Sequence, residues 1–294
     1  MTPETPQKST LLLLTVVSLL AFAGNSLLCR LALTRTDTDA ATFTTIRLLA
    51  GAVTLLLIVR LRSFRASGGG SWPSAIALCA YAAGFSFAYV QLSAGTGALL
   101  LFGAVQATMI SVGAIRGERL RALQGTGLML AYAGLIGLVL PGLAAPPIGA
   151  AALMLVAGAA WGTYSLRARG GGDPTTVTAG NFLRAVPLAF LISLVTLPSL
   201  HVDGSGASYA VASGALASGV GYAVWYTALR GLRATTAATV QLSVPVIASL
   251  GGVVLLHEPL TTRLVVAGAA ILGGVALVVL TRAMPPLSVP QAVE

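Results

Sequence analysis

The stretch FAGNSLLCR, residues 22–30, returns later in the chain as AWGTYSLR, residues 160–167, with Gly24 aligned to Gly162. The offset between matching positions stays near ~138 residues over nearly the whole chain, which marks an internal repeat. Three further pairs follow in the same order: TTIRLLAG (44–51) with GNFLRAVP (180–187), FSFAYVQLSAGTGA (85–98) with YAVWYTALRGLRATTA (222–237), and IRGERL (115–120) with LLHEPL (255–260).

The composition predicts an integral membrane protein. Of the 294 residues, 56% are hydrophobic and 9% are charged, whereas soluble domains carry roughly 25% charged residues. The apolar runs do not alternate with polar positions, which favours helices over the strands of a barrel. Each run has the length that a helix needs to cross a bilayer. The predicted spans are 10–33, 40–61, 73–92, 96–115, 121–141, 148–168, 175–198, 206–229, 235–256 and 261–281.

The repeat and the spans together predict a topology. Each half holds five helices, and because five is odd the second half enters the membrane from the opposite side. We therefore expect an all-α integral membrane protein with ten transmembrane helices in two inverted five-helix repeats, residues 10–141 and 148–281. Residues 1–9 and 282–294 are expected to be cytoplasmic tails. In this plan, which secondary transporters use, the binding site lies near the midplane between the halves.

The net charge of +9 is interpreted as a topology signal. With both termini inside, twelve basic residues fall on the cytoplasmic side and three on the outer side, a strong positive-inside bias. The expected neighbours are the lipid bilayer and its anionic headgroups rather than nucleic acid, for which no motif is present. The first segment has no small-residue cleavage site and is interpreted as a retained helix. A multi-pass protein of a bacterial inner (plasma) membrane is predicted.

These motifs resemble a known group of transporters. Trp161-Gly162 near the start of a repeat, an arginine in its second helix, and GERL or EPL before its last helix resemble the drug/metabolite transporter superfamily, over roughly residues 10–282. More narrowly, the chain is similar to the ten-helix EamA-type exporters of amino acids and other metabolites, with the aromatic amino-acid exporters as the preferred comparison. The resemblance implies that helices 3, 4, 8 and 9 form a core, with helices 5 and 10 at the periphery. Two departures are Phe22 where tryptophan is usual and Gln106 near the position of a usual proline.

Aromatic and amide side chains are the candidate binding residues. Tyr222, Trp225 and Tyr226 have i, i+3, i+4 spacing and share one helix face. A pocket of aromatic faces with a few neutral amides suits a semi-polar organic solute. For any single aromatic residue the alternative is helix packing or an interfacial belt. The predicted substrate-binding set is Asn25, Tyr81, Phe85, Tyr89, Phe102, Gln106, Trp161, Tyr164, Tyr222, Trp225, Tyr226 and Gln241.

Two arginines and two prolines lie inside predicted helices. Arg47 and Arg184 require a partner or an aqueous cavity, because a charge in the bilayer is costly. Each is either a ligand for a substrate carboxylate or a structural group, bound in an ion pair or capping backbone carbonyls, and their equivalent positions favour the structural interpretation. Pro245 and Pro187 are either hinges for alternating access or static kinks. Small residues such as Gly127, Gly134 and GAAILGG (268–274) predict close helix packing, with a dimer interface as a second use.

No acidic residue falls within a predicted span. A buried carboxylate is the usual proton relay of pumps, so proton coupling would have to use an interfacial acid such as Asp37 or Asp173. A facilitator that follows the substrate gradient is favoured. A cation-extruding pump would also want a buried acid, and a channel would want a polar or charged pore ring. No cofactor is predicted, and the oligomeric state, monomer or homodimer, stays open.

The stretch LLHEPL contains His257-Glu258, the beginning of a zinc-protease motif. That motif needs a second histidine four residues on, where the chain has Thr261, and Pro259 interrupts the helix. His201 lies in another loop, and Cys29 and Cys79 show no metal-ligand spacing, so neither a metal site nor an enzyme is predicted. The stretch is interpreted as a turn whose glutamate lies at the N-terminus of the helix that follows, where the helix dipole favours negative charge.

Overall fold

The structure, a computed structural model, describes residues 8–62, 69–117, 121–142, 144–167, 173–232 and 234–282. Within these ranges all regular secondary structure is helical, which confirms the all-α prediction. Glu118 of the IRGERL copy and most of both tails lie outside the described residues. The helices are α1 Lys8–Arg35, α2 Ala40–Arg62, α3 Trp72–Tyr89, α4 Ala94–Ile115, α5 Ala122–Val139, α6 Ile148–Arg167, α7 Pro174–Val195, α8 Gly204–Ala212, α9 Gly221–Leu229, α10 Ala234–Gln241, α11 Ser243–Leu256 and α12 Thr262–Arg282.

Eight helical segments in the described ranges are long and apolar enough to cross a membrane. They are α1, α2, α4, α5, α6, α7, the segment Thr236–Leu256 of α10 and α11, and α12. Two more long helical runs remain. One is α3, and the other is residues 204–229, in which the π-helix Ser213–Val220 joins α8 to α9 without a break. Large apolar side chains such as Leu57 and Val254 stay exposed on the outer surface, as lipid contact requires.

Short polar side chains set where several helices begin. The carboxylate of Asp39 accepts the N–H groups of Ala41 and Thr42 at the start of α2. Asp173 and Asp203 do the same for α7 and α8, each by accepting an N–H of the first turn. The N–H of Gly206 is the main reason why the pKa of Asp203 is held below its ordinary value. These acids act as helix caps at the predicted loops.

Close packing of small residues joins α5 to α12. A Cβ on Gly127 would lie 2.6 Å from the carbonyl oxygen of Gly274, and one on Gly134 would lie 2.8 Å from Ile271. The helices approach so closely because neither glycine has a side chain there. These contacts confirm the prediction that the glycines serve helix packing within one chain. The α5–α12 pair contributes no residue to the central cavity described below.

The π-helix Ser213–Val220 brings the eighth predicted segment against α2. A Cβ on Gly214 would collide with the backbone carbonyl of Arg47, so the two backbones are in direct contact. The local sequence, SGALASGV, supplies only one large side chain in eight residues, which permits this approach. The sequence predicted a continuous α-helix in this segment, so the π-helix was missed. Such irregular turns are frequent next to functional sites.

The stretch LLHEPL closes one end of the molecule. His257 adopts a left-handed conformation (φ 56°) that ends α11. The carboxylate of Glu258 accepts from Nε of Arg30 at 2.9 Å and from the backbone N–H of Ala94 at 2.7 Å. The glutamate therefore accepts the first N–H of α4, beside the N-cap Ser93. The expectation that it serves the following helix, α12, was wrong, because Thr261 accepts at the start of α12. We call the contacts of these three residues the Arg30–Glu258–Ala94 clasp.

The two helical prolines have different surroundings. Pro187 lies inside α7, which continues beyond it to Val195. Pro245 follows a break at Leu242 that separates α10 from α11. A proline has no N–H for the carbonyl four residues earlier, here that of Gln241, so the break lies where the helix loses a bond. Whether either position bends during transport stays a prediction.

Candidate substrate-binding cavity

A cavity of about 430 Å³ lies in the interior of the helix bundle. Its wall is built mainly from α1, α3, α4, α6, the run 204–229 and α10, so it draws on both halves of the chain. The volume is in the usual range for small-molecule sites. The predicted core helices 3, 4, 8 and 9 all contribute residues to the wall. The first and sixth predicted helices contribute residues as well.

The structure brings nearly all of the predicted binding residues together in this wall. The predicted residues that line it are Asn25, Tyr81, Phe85, Phe102, Gln106, Trp161, Tyr164, Tyr222, Trp225, Tyr226 and Gln241. They come from helices far apart in the sequence.

Tyr89 does not line the cavity. Its side chain is fully buried, its hydroxyl donates to the carbonyl of Ala94 at 3.2 Å, and its ring packs edge-on against Phe85 at 4.7 Å. The helical spacing correctly placed it on the same stripe as Phe85. However, Tyr89 is the last residue of α3, where the chain turns beside the Arg30–Glu258–Ala94 clasp. Its position is structural, and this part of the predicted set is corrected.

Trp161 is the centre of the aromatic wall. Its ring stacks on Tyr164 and on Tyr222, with centroid distances of 5.1 and 5.4 Å and interplanar angles of 23° in both pairs. Tyr81 lies 4.7 Å away in a tilted contact. Such mutual contacts restrict the rings and present flat, polarisable faces to a ligand. The cavity is therefore shaped to hold a planar or apolar group.

Two short polar chains run through the wall. Ser213 donates to Oδ1 of Asn25 at 2.6 Å, and Nδ2 of Asn25 reaches the hydroxyl of Tyr81 at 3.4 Å. On the other side, Thr178 shares a hydrogen bond of 3.0 Å with the hydroxyl of Tyr226. Tyr164 also reaches Thr178, at 3.4 Å. These bonds fix several lining side chains before any ligand arrives.

Gln106 and Gln241 place neutral amides in the wall, as predicted. Within the described ranges neither amide has a protein hydrogen-bond partner. An amide in an apolar interior is costly without a partner. Both groups are therefore available to a polar atom of a ligand or to water.

Arg184 has a structural role. Its Nη1 donates to the carbonyl oxygens of Gly69 and Gly180 at 2.8 and 2.9 Å. The side chain thus ties α7 to the segment that precedes α3. This matches the backbone-capping interpretation, and the residue is absent from the cavity wall.

Arg47 has a different environment. Its side chain is only 3% exposed, and Nη1 has no hydrogen-bond partner in the described part of the chain. Its guanidinium carbon lies 4.8 Å from the ring centre of Phe85 and 5.5 Å from that of Tyr81. Neither ion pair found among the described residues involves it. The structural interpretation that fits Arg184 does not account for Arg47.

The cavity extends toward one end of the bundle. Its wall reaches Ser165 near the end of α6, Pro174 at the start of α7 and Leu229 at the end of α9. Arg167 and Arg230 lie at this same end. At the opposite end the wall stops short of Tyr89, behind which stands the Arg30–Glu258–Ala94 clasp. The two ends therefore differ in how they are closed.

Several lining residues were missed at the sequence level. Phe22 packs against Tyr222 and Trp225, with ring centroids 5.7 and 5.8 Å apart. A signal for it existed, because Phe22 precedes Asn25 by three residues and so shares its helix face. Thr178 does not line the cavity but holds the lining residue Tyr226, and no sequence signal distinguished it from a packing residue. The residues that line the cavity in the described ranges include no acidic or basic side chain.

Two of the comparisons with known proteins name a transporter. A profile of the EamA-like transporter family matches residues 148–280. An uncharacterized protein of Pseudomonas aeruginosa is 57% identical over 278 residues, covering 94% of this chain and 96% of that protein. An uncharacterized transporter of Archaeoglobus fulgidus is 29% identical over 197 residues, covering 66% of this chain and 70% of its own length. A solved crystal structure, 20% identical, has the same fold, with a TM-score of 0.65 over 95% of this chain and 100% of that one.

Proposed function

The chain belongs to the EamA-like transporter family, part of the drug/metabolite transporter superfamily, and on that premise we propose that it exports a small semi-polar metabolite. Amino acids with aromatic or hydrophobic side chains are the favoured substrates. Transport takes place by alternating access at the central cavity. One observation carries the proposal: a cavity of about 430 Å³ with an aromatic wall reaches one end of the bundle and stops behind a clasp at the other.

The proposal includes a ten-helix topology in two inverted repeats, residues 10–141 and 148–281, with both termini in the cytoplasm. Two observations support it. The eight apolar helical segments, together with α3 and the run 204–229, fall at the predicted spans. The family profile, residues 148–280, also coincides with the second repeat. In this orientation the basic end of the cavity faces the cytoplasm of a bacterial inner membrane.

The chemistry of the wall supports the substrate class. Stacked rings around Trp161 match an aromatic or apolar side chain. The free amides of Gln106 and Gln241 match a few polar atoms on the same molecule. A lipophilic-cation pump of the same superfamily is the competing function, and the absence of any acid among the described lining residues disfavours it. An enzyme is disfavoured further, because His257 ends its helix and cannot share a helix face with a later ligand.

Transport by purified protein in liposomes tests the proposal. Vesicles are loaded in separate experiments with an aromatic amino acid, a charged amino acid and a lipophilic cation, and efflux is followed over time. We expect the aromatic amino acid to leave fastest. Efflux of the cation alone would overturn the metabolite proposal. Efflux of none of the three would remove its support altogether.

Coupling is tested in the same vesicles. Because no acid lines the described part of the cavity, we propose facilitated movement along the substrate gradient. An imposed pH difference should leave the initial rate unchanged. A rate that follows the pH difference would instead implicate an interfacial acid such as Asp173, which lies next to the lining residue Pro174.

Two substitutions test the cavity itself. Trp225→Ala and Gln241→Ala should each weaken substrate binding by about tenfold while the yield of folded protein is kept. Leu57→Ala and Leu191→Ala are matched controls, because these leucines are more than half exposed on the outer surface. Equal losses from the controls would show that the effect comes from general destabilisation.

A further inference from the structure

Arg47 is a buried cation without a carboxylate. It is 97% buried, and no acidic side chain in the described ranges contacts it. Burial of an unpaired charge is strongly unfavourable, and such groups in a membrane interior mark functional sites. Phe85 and Tyr81 give it two aromatic faces, which stabilise a cation only modestly. Among the described residues, Nη1 is the only side-chain polar atom that is fully enclosed and has no hydrogen-bond partner.

The same two rings form part of the cavity wall. Phe85 and Tyr81 both line the cavity, so one layer of aromatic side chain separates the guanidinium from the space a ligand would fill. The surroundings have a low dielectric constant, in which a charge acts over several ångströms with little screening. Arg30 adds little to this charge, because Glu258 lies 2.9 Å from it. Arg47 therefore contributes a positive potential to the cavity.

The cavity also has donors suited to an anion. The hydroxyl of Tyr81, which Asn25 contacts at 3.4 Å, carries a proton that it can donate. The free amides of Gln106 and Gln241 add N–H donors at the other side. A ligand carboxylate would find hydrogen-bond donors and a nearby positive charge. A ligand ammonium group would find neither an acid nor a favourable potential.

We propose that Arg47 is the specificity-determining residue of the cavity and that it selects substrates bearing a carboxylate over those bearing only an ammonium group. This inference rests on the proposed transport function and adds the charge of the substrate to it. Arg47 acts through Tyr81 and Phe85 without touching the ligand. An aromatic ring held against Trp161 and a carboxylate held on the Arg47 side together define the substrate class as aromatic carboxylates, amino acids included.

Ligand binding to the intact protein in detergent tests the charge preference. The probes are 3-phenylpropionate, 3-phenylpropanamide and 3-phenylpropylamine, which share one ring and chain and differ in charge. Quenching of tryptophan fluorescence reports binding, because Trp161 and Trp225 line the cavity. The expected order is carboxylate tightest, amide about tenfold weaker and ammonium weakest. Equal or tighter binding of the ammonium probe to the wild-type protein would overturn the proposal, whatever any variant does.

A matched pair of variants assigns the preference to one residue. In Arg47→Gln the carboxylate should lose its advantage and bind within about threefold of the amide. In Arg184→Gln, the control at the equivalent position of the other half, the order should stay as in the wild type. An unchanged order in Arg47→Gln would contradict the role of Arg47. If transport of aromatic amino acids persists while the charge order fails, the transport function stands and only this inference falls.

Discussion

Arg47 and Arg184 stand at equivalent places in the two halves of the repeat, yet the structure gives them different partners. Arg184 is half-buried and donates to two backbone carbonyls. Arg47 is almost fully buried and faces two aromatic rings. In the fold, α7 lies beside the loop at Gly69, which precedes α3 in the first half, whereas α2 lies beside the aromatic stripe of α3. The same local motif therefore supplies a structural cap in one half and an uncompensated charge beside the cavity in the other.

The largest expected effect comes from removing the carboxylate that neutralises Arg30, which leaves it unpaired as Arg47 is. Glu258→Ala leaves Arg30 without its carboxylate and the first N–H of α4, that of Ala94, without its acceptor. The ion pair is partly buried and two charged hydrogen bonds are lost, so we expect the free energy of unfolding to fall by about 2–3 kcal/mol. Denaturant- or SDS-induced unfolding of the purified protein measures it.

The control is Glu258→Gln, which keeps an oxygen acceptor for Ala94 and loses only the charge. Its loss should be smaller. A wild-type stability in Glu258→Ala would mean that the carbonyls of Tyr89 and Val90, which Arg30 also contacts, suffice to hold its partly exposed guanidinium.

The next effect compares the two arginines directly. Arg184→Ala leaves the carbonyl of Gly69 without its donor and should lower the free energy of unfolding by about 1–2 kcal/mol. Arg47→Met removes an unpaired buried charge and keeps much of the side-chain volume, so the stability should stay the same or increase. Thermal unfolding of both variants beside the wild type gives the answer. A larger loss in Arg47→Met than in Arg184→Ala would assign Arg47 a structural role.

A smaller effect concerns the cap of the helix that carries Arg47. Partial burial tends to raise the pKa of Asp39, but hydrogen bonds from Thr42, His201 and Ala41 outweigh it and lower that pKa. The unfolded chain has a pKa of about 3.9. Because the folded value is lower, the stabilisation is present above pH ~4 and is lost as the pH falls through the folded value. Asp39→Asn should lose this acid-dependent part of the stability, so its unfolding free energy should vary less than that of the wild type between pH 6 and pH 3. An identical pH profile in the variant would contradict it.

The smallest expected effect comes from removing one tyrosine hydroxyl on each side of the cavity. Tyr226 shares a bond of 3.0 Å with Thr178, whereas Tyr81 receives only a long contact of 3.4 Å from Asn25. Tyr226→Phe should therefore cost about 1 kcal/mol of stability and Tyr81→Phe about half of that. Calorimetric or thermal unfolding resolves the difference. The reverse order would show that the Asn25–Tyr81 contact is tighter than its length indicates.

Much of the fold could be predicted because helices in a membrane must satisfy their own backbone bonds. Length and hydropathy then place the helices, as with α4 and α12, whose ends fall within about two residues of the predicted spans. The π-helix Ser213–Val220 escaped prediction, because no periodic signal distinguishes it from an α-helix of small residues. Glu258 was assigned to the wrong helix end, because sequence spacing cannot reveal that α4 lies beside the loop after α11.

The sequence by itself determined the helical segments, the family and most of the cavity residues, because polar and aromatic side chains in apolar helices stand out by composition and by spacing along one face. Only the tertiary structure decided what those residues meet. Tyr89 lies outside the cavity at the end of its helix, whereas Phe22 lines it. Arg47 contacts aromatic rings, whereas Arg184 donates to backbone carbonyls. The physical reason is the same in each case: a side chain's partner lies on another helix, and sequence distance does not encode that neighbour.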